Sequence, residues 1–305
     1  MSDRVWVLAN PAAGGGRGGR YGASVARILA EGGVEVRLVQ AADEAGTARA
    51  AREAVDEGAR AVIASGGDGT VHTVLQELVG SSVPLGIVAA GSGDDIASGL
   101  GLTRGPAEAM GTSLLRSLVA GVDRPVDVGV IQAADSVSRY FLGVMSTGFD
   151  SSVNERANGM GRLAGQRYNI AIMRELASFR PLEYEVEMDG TTVHGRGMLV
   201  SVGNGPQYGG GMLLCPDADC ADGLLDITWL DEVPVHRFLR LFPSVYRGEH
   251  VHHPAVRTFR AQRVRIVAGG QIAYADGERV GPLPVEVVVR PLALRVLTDV
   301  GTTAA

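Results

Sequence analysis

The stretch "SGGDGTVHTVLQEL", residues 65–78, lies where a run of small and branched apolar residues gives way to a helical pattern. The preceding "ARAVIAS" (59–65) predicts a buried strand, and residues 70–79 have the spacing of a helix. Glycines and a carboxylate therefore occupy a strand-to-helix turn. Glycine lets backbone N–H groups approach a ligand closely, and the start of a helix favours negative charge. The turn suits either a phosphate site or an ordinary tight connection in an α/β fold.

The first 130 residues repeat this alternation of strand and helix. The order predicts a parallel sheet covered by helices on both faces, with ligands bound at the carboxyl ends of its strands. The predicted strands lie at 4–9, 34–40, 59–65 and 83–90, and the predicted helices at 18–33, 44–58, 70–79, 94–101 and 106–120.

Two further glycine-rich turns follow predicted strands, "NPAAGGGRGG" (10–19) and "GSGDD" (91–95). One such turn is typical of any tight connection, but three on one sheet edge predict a crevice for phosphates. The pattern GxxxxGK[ST] is excluded because the chain has no Lys. Asp68 would repel phosphates unless a cation lay between them, and Mg²⁺ suits that position. The alternative makes Asp68 the N-cap of a helix that starts at Thr70.

After Asp127 the pattern changes to closely spaced strands, which predict an antiparallel β-sandwich. Asp189-Gly190 stands between two alternating runs and predicts a hairpin. Helices are predicted at about 165–178 and 234–247. The predicted strand regions are 126–132, 138–146, 182–204, 223–230, 261–268, 271–280 and 285–297.

Two acidic passages in this second region invite a chemical interpretation. "CPDADCADGLLDI" (215–227) carries four aspartates, which favour either a bound cation or a solvated turn. "AYADGERV" (273–280) has the pattern of a hairpin with a second acid, Glu278, close behind Asp276. Phosphoryl transfer to an alcohol requires a carboxylate that accepts the hydroxyl proton. The second passage therefore offers a candidate base.

The motifs "NPAAGGG", "GGDGTVHTV", "GSGDDIASGLG" and "DGE" occur in the order found in the diacylglycerol kinase catalytic family. The chain resembles this family, which includes soluble bacterial lipid kinases and sphingosine and ceramide kinases, over nearly its whole length. The resemblance implies a nucleotide-binding α/β domain at 1–128, similar to NAD kinase and 6-phosphofructokinase. It implies a β-sandwich lipid-substrate domain at 129–290 and a return segment at about 291–305.

The resemblance also implies an activity. ATP and Mg²⁺ would serve transfer of the γ-phosphate to a lipid hydroxyl, with diacylglycerol the leading substrate and phosphatidic acid, a phospholipid precursor, the product. Sphingosine, another lipid or a soluble metabolite are alternative acceptors. Asp94 stands where the family usually has Asn, which keeps open a catalytically inactive nucleotide-binding regulator. An NAD kinase ranks low because "AAGSGDDIASGLG" replaces the stretch expected there.

The resemblance also implies a role for individual residues, according to their place in each motif. Glu278 is favoured as the base, with Asp276 organising the metal and water shell, although either acid could act. A structural Mg²⁺ loop would use Asp219, Asp222 and the backbone carbonyl of Leu224. The three phosphate loops would use Asn10, Pro11 and Gly14, then Gly66, Gly67, Asp68, Gly69 and Thr70, then Ser92 and Asp95.

Composition limits the partners and the location. A net charge of −6 argues against general nucleic-acid binding. No apolar run approaches the ~18 residues of a membrane span, and no signal-peptide pattern is seen. We therefore expect a cytoplasmic protein with reduced Cys215 and Cys220 that meets its lipid at the membrane surface. A homodimer is one allowed oligomeric state.

One passage remains without a role in this scheme. Residues 236–254 mix arginines, histidines and aromatic residues. The arginines could meet anionic headgroups, and a solvated loop with a polar outer face is the favoured interpretation.

Overall fold

The computed structural model describes residues 3–41, 43–133, 138–159 and 179–298. The helix predicted at about 165–178 lies outside these residues. The chain separates into two compact units. Unit 1 comprises Met1–Val128, Cys220–Asp222 and Arg290–Ala305, and unit 2 comprises Gly129–Asp219 and Gly223–Val289.

Unit 1 is an α/β fold with a parallel sheet, as the sequence predicts. Its sheet runs in the order β2-β1-β3-β4, and Val296 of the last strand of the chain pairs in parallel with Leu85 of β4. The elements are β1 (Arg4–Ala9), α1 (Arg17–Glu31), β2 (Glu35–Gln40), α2 (Glu44–Asp56), β3 (Ala61–Gly66), α3 (Asp68–Leu78), β4 (Leu85–Ala89), α4 (Asp95–Gly99) and α5 (Ala107–Ala120).

The strand sequences explain the layering of unit 1. Every residue of β3 and β4 is buried, which suits strands covered by helices on both faces. Helix α3 begins at Asp68, two residues before the predicted start, and Gly67 is its N-cap residue. The interpretation of Asp68 as an N-cap is therefore wrong, and its carboxylate is available for another contact.

Unit 2 is antiparallel, again as predicted. Strands β5 and β15 contribute residues to both units. The elements are β5 (Asp123–Ala133), β6 (Arg139–Phe141), β7 (Val144–Gly148), α6 (Phe149–Gly159), β8 (Leu182–Met188), β9 (Thr191–Gly203), β10 (Leu225–Asp231), α7 (Val235–Leu241), β11 (Val256–Ala261), β12 (Arg263–Val267), β13 (Ile272–Ala275), β14 (Glu278–Pro282) and β15 (Val285–Leu297).

All strand pairs described within unit 2 are antiparallel. The order is β14-β13-β7-β9-β8-β12-β15, with β10 between β9 and β11, and with β6 paired to β5. The predicted hairpin joins β8 to β9. Asp189 (φ 46°) and Gly190 (φ 86°) both adopt the left-handed conformation that a two-residue hairpin turn requires.

Two strand predictions in unit 2 differ from the structure. The run 138–146 is two strands, β6 and β7, because the amides of Leu142 and Gly143 donate to the Asp276 carboxylate. Strand β11 was not predicted, since its alternating "VRTFRA" follows directly on the polar run before Pro254.

The segment between β10 and β11 also departs from expectation. Helix α7 ends at Leu241, and a 3₁₀ helix continues over Phe242–Arg247, where Pro243 stands in its first turn. The interpretation of a solvated loop is wrong at His250, which is buried in a second 3₁₀ turn, Glu249–His252. None of the helices in the described ranges is both long and apolar enough to traverse a lipid bilayer.

Candidate active site

The first and second glycine loops of unit 1 are joined by hydrogen bonds. The Asn10 backbone N–H donates to the carbonyl of Ser65 (2.9 Å), and Asn10 Nδ2 donates to Thr70 Oγ1 (3.2 Å). Asn10 Oδ1 accepts from the N–H of Ala12 (2.9 Å), which turns the chain after β1. One asparagine thus fixes the end of β1 against the start of α3.

The third loop closes on the other two through glycine backbone. A β-carbon on Gly91 would lie 2.5 Å from the Cα of Gly67, and one on Gly14 would lie 2.0 Å from the carbonyl oxygen of Ala90. Gly14 is also left-handed, at φ 55°. Arg17 ties the first and third loops together by donating to the carbonyls of Gly14 (3.2 Å) and Gly91. The three loops therefore meet at one edge of the unit 1 sheet.

Three carboxylates collect at this edge. Asp68 Oδ1 accepts from the N–H of Ile96 (2.9 Å), and Asp94 Oδ1 accepts from the N–H of Gly91 (2.8 Å). The Oδ2 atoms of Asp68 and Asp95 each lie 3.2 Å from the place that a β-carbon on Gly93 would occupy. Burial, together with the negative charges of Asp95 and Asp94, raises the pKa of Asp68.

The departure at Asp94 fits the loop. Asp94 is left-handed, at φ 57°, a conformation that Asn and Asp tolerate better than other side chains. Burial raises the pKa of its carboxyl, against the opposing influence of its hydrogen bond from Gly91 and the charge of Arg17. Asp94 therefore supplies the acceptor that closes this turn.

Most of the residues predicted to bind the nucleotide lie close together, and two are exposed on the loops. The structure brings together Asn10, Gly14, Gly66, Gly67, Asp68, Thr70 and Asp95. Gly69 lies in the first turn of α3, where its carbonyl accepts from Thr73 Oγ1 (2.9 Å). Pro11 and Ser92 are exposed on the first and third loops.

In unit 2, Asp276 is buried in the turn between β13 and β14. Its two carboxylate oxygens accept from the N–H groups of Leu142 (3.0 Å) and Gly143 (2.9 Å), and its own N–H donates to Val144 (3.2 Å). Asp276 is left-handed, at φ 50°. The side chain therefore fixes the hairpin turn to the start of β7.

Glu278, two residues later, is exposed at the start of β14. The hairpin beside it is held by a residue that the sequence did not single out. Glu155 of α6 accepts from the hydroxyl of Tyr274 (2.5 Å) and from Arg279 Nε (2.8 Å). These two hydrogen bonds hold the pKa of Glu155 below its usual range. The arrangement leaves Glu278 as the solvent-facing acid of the pair Asp276 and Glu278.

The four aspartates of the acidic passage at 215–227 differ in solvent exposure. Asp217, Asp219 and Asp222 are exposed, whereas Asp226 is buried and forms an ion pair with Arg260 (3.4 Å). In the part of the chain that the structure describes, no group of three or more His, Cys, Asp or Glu side chains is arranged to hold a metal ion. The loop of Asp219, Asp222 and the Leu224 carbonyl has two carboxylates and one carbonyl, and it stays a prediction. Cys215 and Cys220 are buried, and neither forms a disulfide with another described residue.

Unit 2 also contains an apolar cavity of about 680 Å³, its opening included. Three polar residues, Asp150, Thr228 and His250, stand among otherwise apolar lining residues. The lining residues are Phe149, Asp150, Val153, Leu199, Met212, Leu214, Thr228, Leu230, Phe238, Leu241, Phe242, Val245, His250 and Val256.

Burial is the largest cause of the pKa shift of the two titratable groups in the cavity, Asp150 and His250. It raises the pKa of Asp150, whose carboxylate accepts from Ser146 Oγ (2.5 Å) and Asn154 Nδ2 (3.4 Å). It lowers the pKa of His250, whose Nε2 lies 3.3 Å from the carbonyl of Leu214 and whose Nδ1 has no hydrogen-bond partner among the described residues. Neither residue carried a motif, so sequence reasoning missed both.

Comparison with known proteins agrees with this architecture. The family model of the diacylglycerol kinase catalytic domain matches residues 4–131, and that of the YegS C-terminal NAD kinase beta sandwich-like domain matches residues 143–298. A protein named diacylglycerol kinase from Mycobacterium tuberculosis is 39% identical over 297 residues, which cover 96% of this chain and 94% of the relative. One of the same name from Bacillus subtilis is 28% identical and covers 93% of each chain.

Solved structures share the fold. A putative diacylglycerol kinase from Bacillus anthracis superposes with a TM-score of 0.79 at 21% identity, covering 99% of this chain and 97% of that one. An NAD kinase from Archaeoglobus fulgidus, solved in complex with ATP, gives a TM-score of 0.57 at 14% identity and covers 97% and 94%. The predicted fold class and the resemblance read from motif order are confirmed. The chain belongs to the diacylglycerol kinase family of lipid kinases.

Proposed function

We propose that this protein is an ATP-dependent kinase that transfers the γ-phosphate to a hydroxyl of diacylglycerol, giving phosphatidic acid. The observation that carries the proposal is the convergence of three glycine loops through backbone contacts that exclude any larger residue at Gly14 and Gly91. Such loops offer backbone N–H groups to phosphate oxygens at the start of helices α3 and α4. The family supplies the reaction class.

The cavity of unit 2 supports the choice of acceptor. Its cavity is walled mostly by aliphatic and aromatic side chains, with Asp150, Thr228 and His250 as the polar residues. An apolar site with few polar groups fits an acyl chain attached to a small polar head better than a soluble metabolite. The relative from Mycobacterium tuberculosis carries the name diacylglycerol kinase, which supports the same acceptor.

The chemistry assigned to the chain is acid–base and electrostatic. Glu278 would accept the proton of the lipid hydroxyl while the hydroxyl oxygen bonds to the γ-phosphorus and the bond to the departing ADP oxygen breaks. Asp276 would position Glu278 by fixing the hairpin turn. Asn10, Gly14, Gly67 and Thr70 would shape the phosphate loops.

A divalent cation fits the donors of unit 1. Asp68 and Asp95 present carboxylate oxygens toward the same point beside Gly93. The pKa of Asp68 is raised mainly by burial, and the negative charges of Asp95 and Asp94 add to the shift. Oxygen donors of this kind suit Mg²⁺. When bound, Mg²⁺ would neutralise phosphate charge. Asp219, Asp222 and the Leu224 carbonyl remain the proposed ligands of a separate structural ion.

The test is transfer of radiolabel from [γ-³²P]ATP to a panel of dispersed diacylglycerol, monoacylglycerol, sphingosine and ceramide, with glycerol as a soluble acceptor. Labelled phosphatidic acid from diacylglycerol is the expected result. Label on another lipid alone would correct the substrate, and label on glycerol alone would remove the lipid assignment. Binding of ATP by calorimetry without transfer to any acceptor would identify a nucleotide-binding regulator instead.

A further inference from the structure

The segment 235–247, here called the docking segment, forms one wall of the cavity in unit 2. It consists of α7 and the 3₁₀ helix that follows. Phe238, Leu241, Phe242 and Val245 line the cavity from its inner side. The ring of Phe238 stacks on that of Phe242 at a centroid distance of 6.0 Å, and Phe242 meets Tyr246 edge-on at 6.1 Å. Aromatic contact therefore runs from the cavity wall to the protein surface.

The outer side of the docking segment is unusually apolar. Val235 and Leu239 are each 43% exposed, and Tyr246 is 49% exposed. Within the described residues of unit 2, these three are the only large hydrophobic side chains that are exposed. Val235 and Leu239 are four residues apart on one helix and are neighbours on its surface. Single exposed hydrophobics are ordinary, but a concentration in one segment marks an interaction surface.

The charge of the segment is opposite to that of the whole chain. Its thirteen residues contain three arginines and no Asp or Glu, in a protein of net charge −6. Arg237 and Arg240 are exposed, and neither side chain forms an ion pair with another described residue. Arg247 is paired with Glu249 (2.7 Å). Elsewhere in unit 2, acidic partners are found for Arg196, Arg257, Arg260, Arg263, Arg265 and Arg279.

We propose that the docking segment binds the surface of an anionic lipid bilayer. Exposed Val235, Leu239 and Tyr246 would enter the interface, and Arg237 and Arg240 would pair with anionic headgroups. A short amphipathic element with arginines beside its apolar face is suited to lie in the plane of such a surface. The inference rests on the proposed function, because the same segment walls the cavity assigned to the acyl chain.

The test measures binding to vesicles, without ATP and without diacylglycerol, so that it does not depend on catalysis. Full-length protein is sedimented with vesicles of phosphatidylcholine alone and of phosphatidylcholine with phosphatidylglycerol. We expect binding only to the anionic vesicles. The double variant Arg237→Gln/Arg240→Gln should weaken it about thirty-fold, about five-fold for each arginine near an anionic surface. Val235→Ser/Leu239→Ser should weaken it about ten-fold or more.

Matched variants in unit 1 control for charge and for exposed apolar area. Arg49→Gln/Arg116→Gln also removes two positive charges, from exposed arginines that form no ion pair with another described residue. Val119→Ser replaces a side chain that is 70% exposed. Both should bind vesicles as the wild type does. Thermal unfolding checks that every variant is folded, and all substituted side chains are exposed.

The outcomes separate the inference from the proposed function. Docking variants should keep the wild-type kcat on diacylglycerol in detergent micelles. If wild-type protein transfers no phosphate in micelles, the proposed function is wrong, and the vesicle-binding result still tests the docking segment independently. Wild-type protein that does not bind anionic vesicles, or docking variants that bind as tightly as wild type, would overturn the inference. It is also overturned if these variants convert a dimer to a monomer in sedimentation velocity while vesicle binding is unchanged, since a second copy then covers the face.

Discussion

The glycine loops of unit 1 and the cavity of unit 2 are built from opposite kinds of information. At Gly14 and Gly91, the loops require that a side chain be absent, because a β-carbon would lie 2.0 Å or 2.5 Å from backbone atoms of a neighbouring loop. The cavity requires only that side chains such as Phe149, Leu230 and Val256 leave a space between them. One site is specified by residue type, and the other by packing.

This difference explains which half of a lipid kinase can be read from a sequence. A phosphate is the same group in every nucleotide, so backbone geometry can bind it in one way and fixes the residue types. An acyl chain offers only apolar surface, and many combinations of ordinary core residues can enclose it. A binding site for an acyl chain is therefore defined by the shape of the folded protein and not by a sequence motif.

The largest effect that would test this contrast lies at Glu278, the exposed acid of unit 2. Glu278→Gln keeps the size of the side chain but removes the proton acceptor, so kcat should fall by about 10²–10⁴-fold. The affinity for ATP should be unchanged, because unit 1 carries the phosphate loops. Steady-state phosphate transfer and ATP calorimetry on the same preparation measure both. Wild-type turnover in this variant would remove Glu278 from the mechanism.

Asp276→Asn provides the contrast within the same hairpin. An amide at this position would point an NH₂ group at the N–H of either Leu142 or Gly143, and a buried hydrogen bond to a charged acceptor would be lost. Such bonds contribute about 1.5–3 kcal/mol. Urea unfolding should show a loss of this size in Asp276→Asn and none in Glu278→Gln. Equal stability of the two variants would contradict the positioning role of Asp276.

The second test concerns the loops of unit 1 and uses two adjacent glycines. Gly14 and Gly15 are both left-handed, at φ 55° and 68°, so alanine is strained at each. Only at Gly14 would the β-carbon also meet another loop; at Gly15 nothing lies within 4 Å. We expect Gly14→Ala to weaken ATP binding about ten-fold or more beyond Gly15→Ala, since overpacking costs roughly 1–3 kcal/mol. Calorimetry measures the difference, and equal affinities would show that contact between the loops does not organise the site.

The fold and the positions of the glycine loops could be predicted because each rests on local rules. The buried runs of β1, β3 and β4 and the helical spacing between them specify a parallel α/β unit. The hairpin at Asp189-Gly190 follows from the backbone conformations that these two residues tolerate. The sequence places Asp68 at the observed turn, but the alternative role of helix N-cap is wrong. The partner of its carboxylate, the N–H of Ile96, is 28 residues away and has no local signal.

The supporting residues of unit 2 could not be predicted because their partners are remote. Glu155 meets Tyr274 across 119 residues, and Asp276 meets Leu142 across 134. His250 stood in a run rich in His and Arg that is typical of a solvated loop, yet folding buries it behind the carbonyl of Leu214. No local pattern records such contacts.

The smallest expected effect concerns His250 and tests whether water reaches this wall of the cavity. Burial lowers the pKa of this imidazole, so the folded protein resists protonation while the unfolded chain takes up a proton near pH 6.5. Stability should therefore be lost as the pH falls below 6.5 toward the lowered pKa, and be unaffected by this group above 6.5. Asp150, in the same cavity, acts in the opposite sense, because its raised pKa makes its contribution fall as the pH rises above its ordinary value.

Comparison of variants separates these two groups. His250→Gln cannot be protonated and keeps a donor for the carbonyl of Leu214, so it should lose less stability than wild type between pH 7 and pH 5. His236→Gln, at an exposed position of α7, should follow the wild-type curve. Urea unfolding at several pH values measures the slopes. A His250→Gln slope equal to that of wild type would mean that water reaches the imidazole in the folded state, contrary to its burial in the structure.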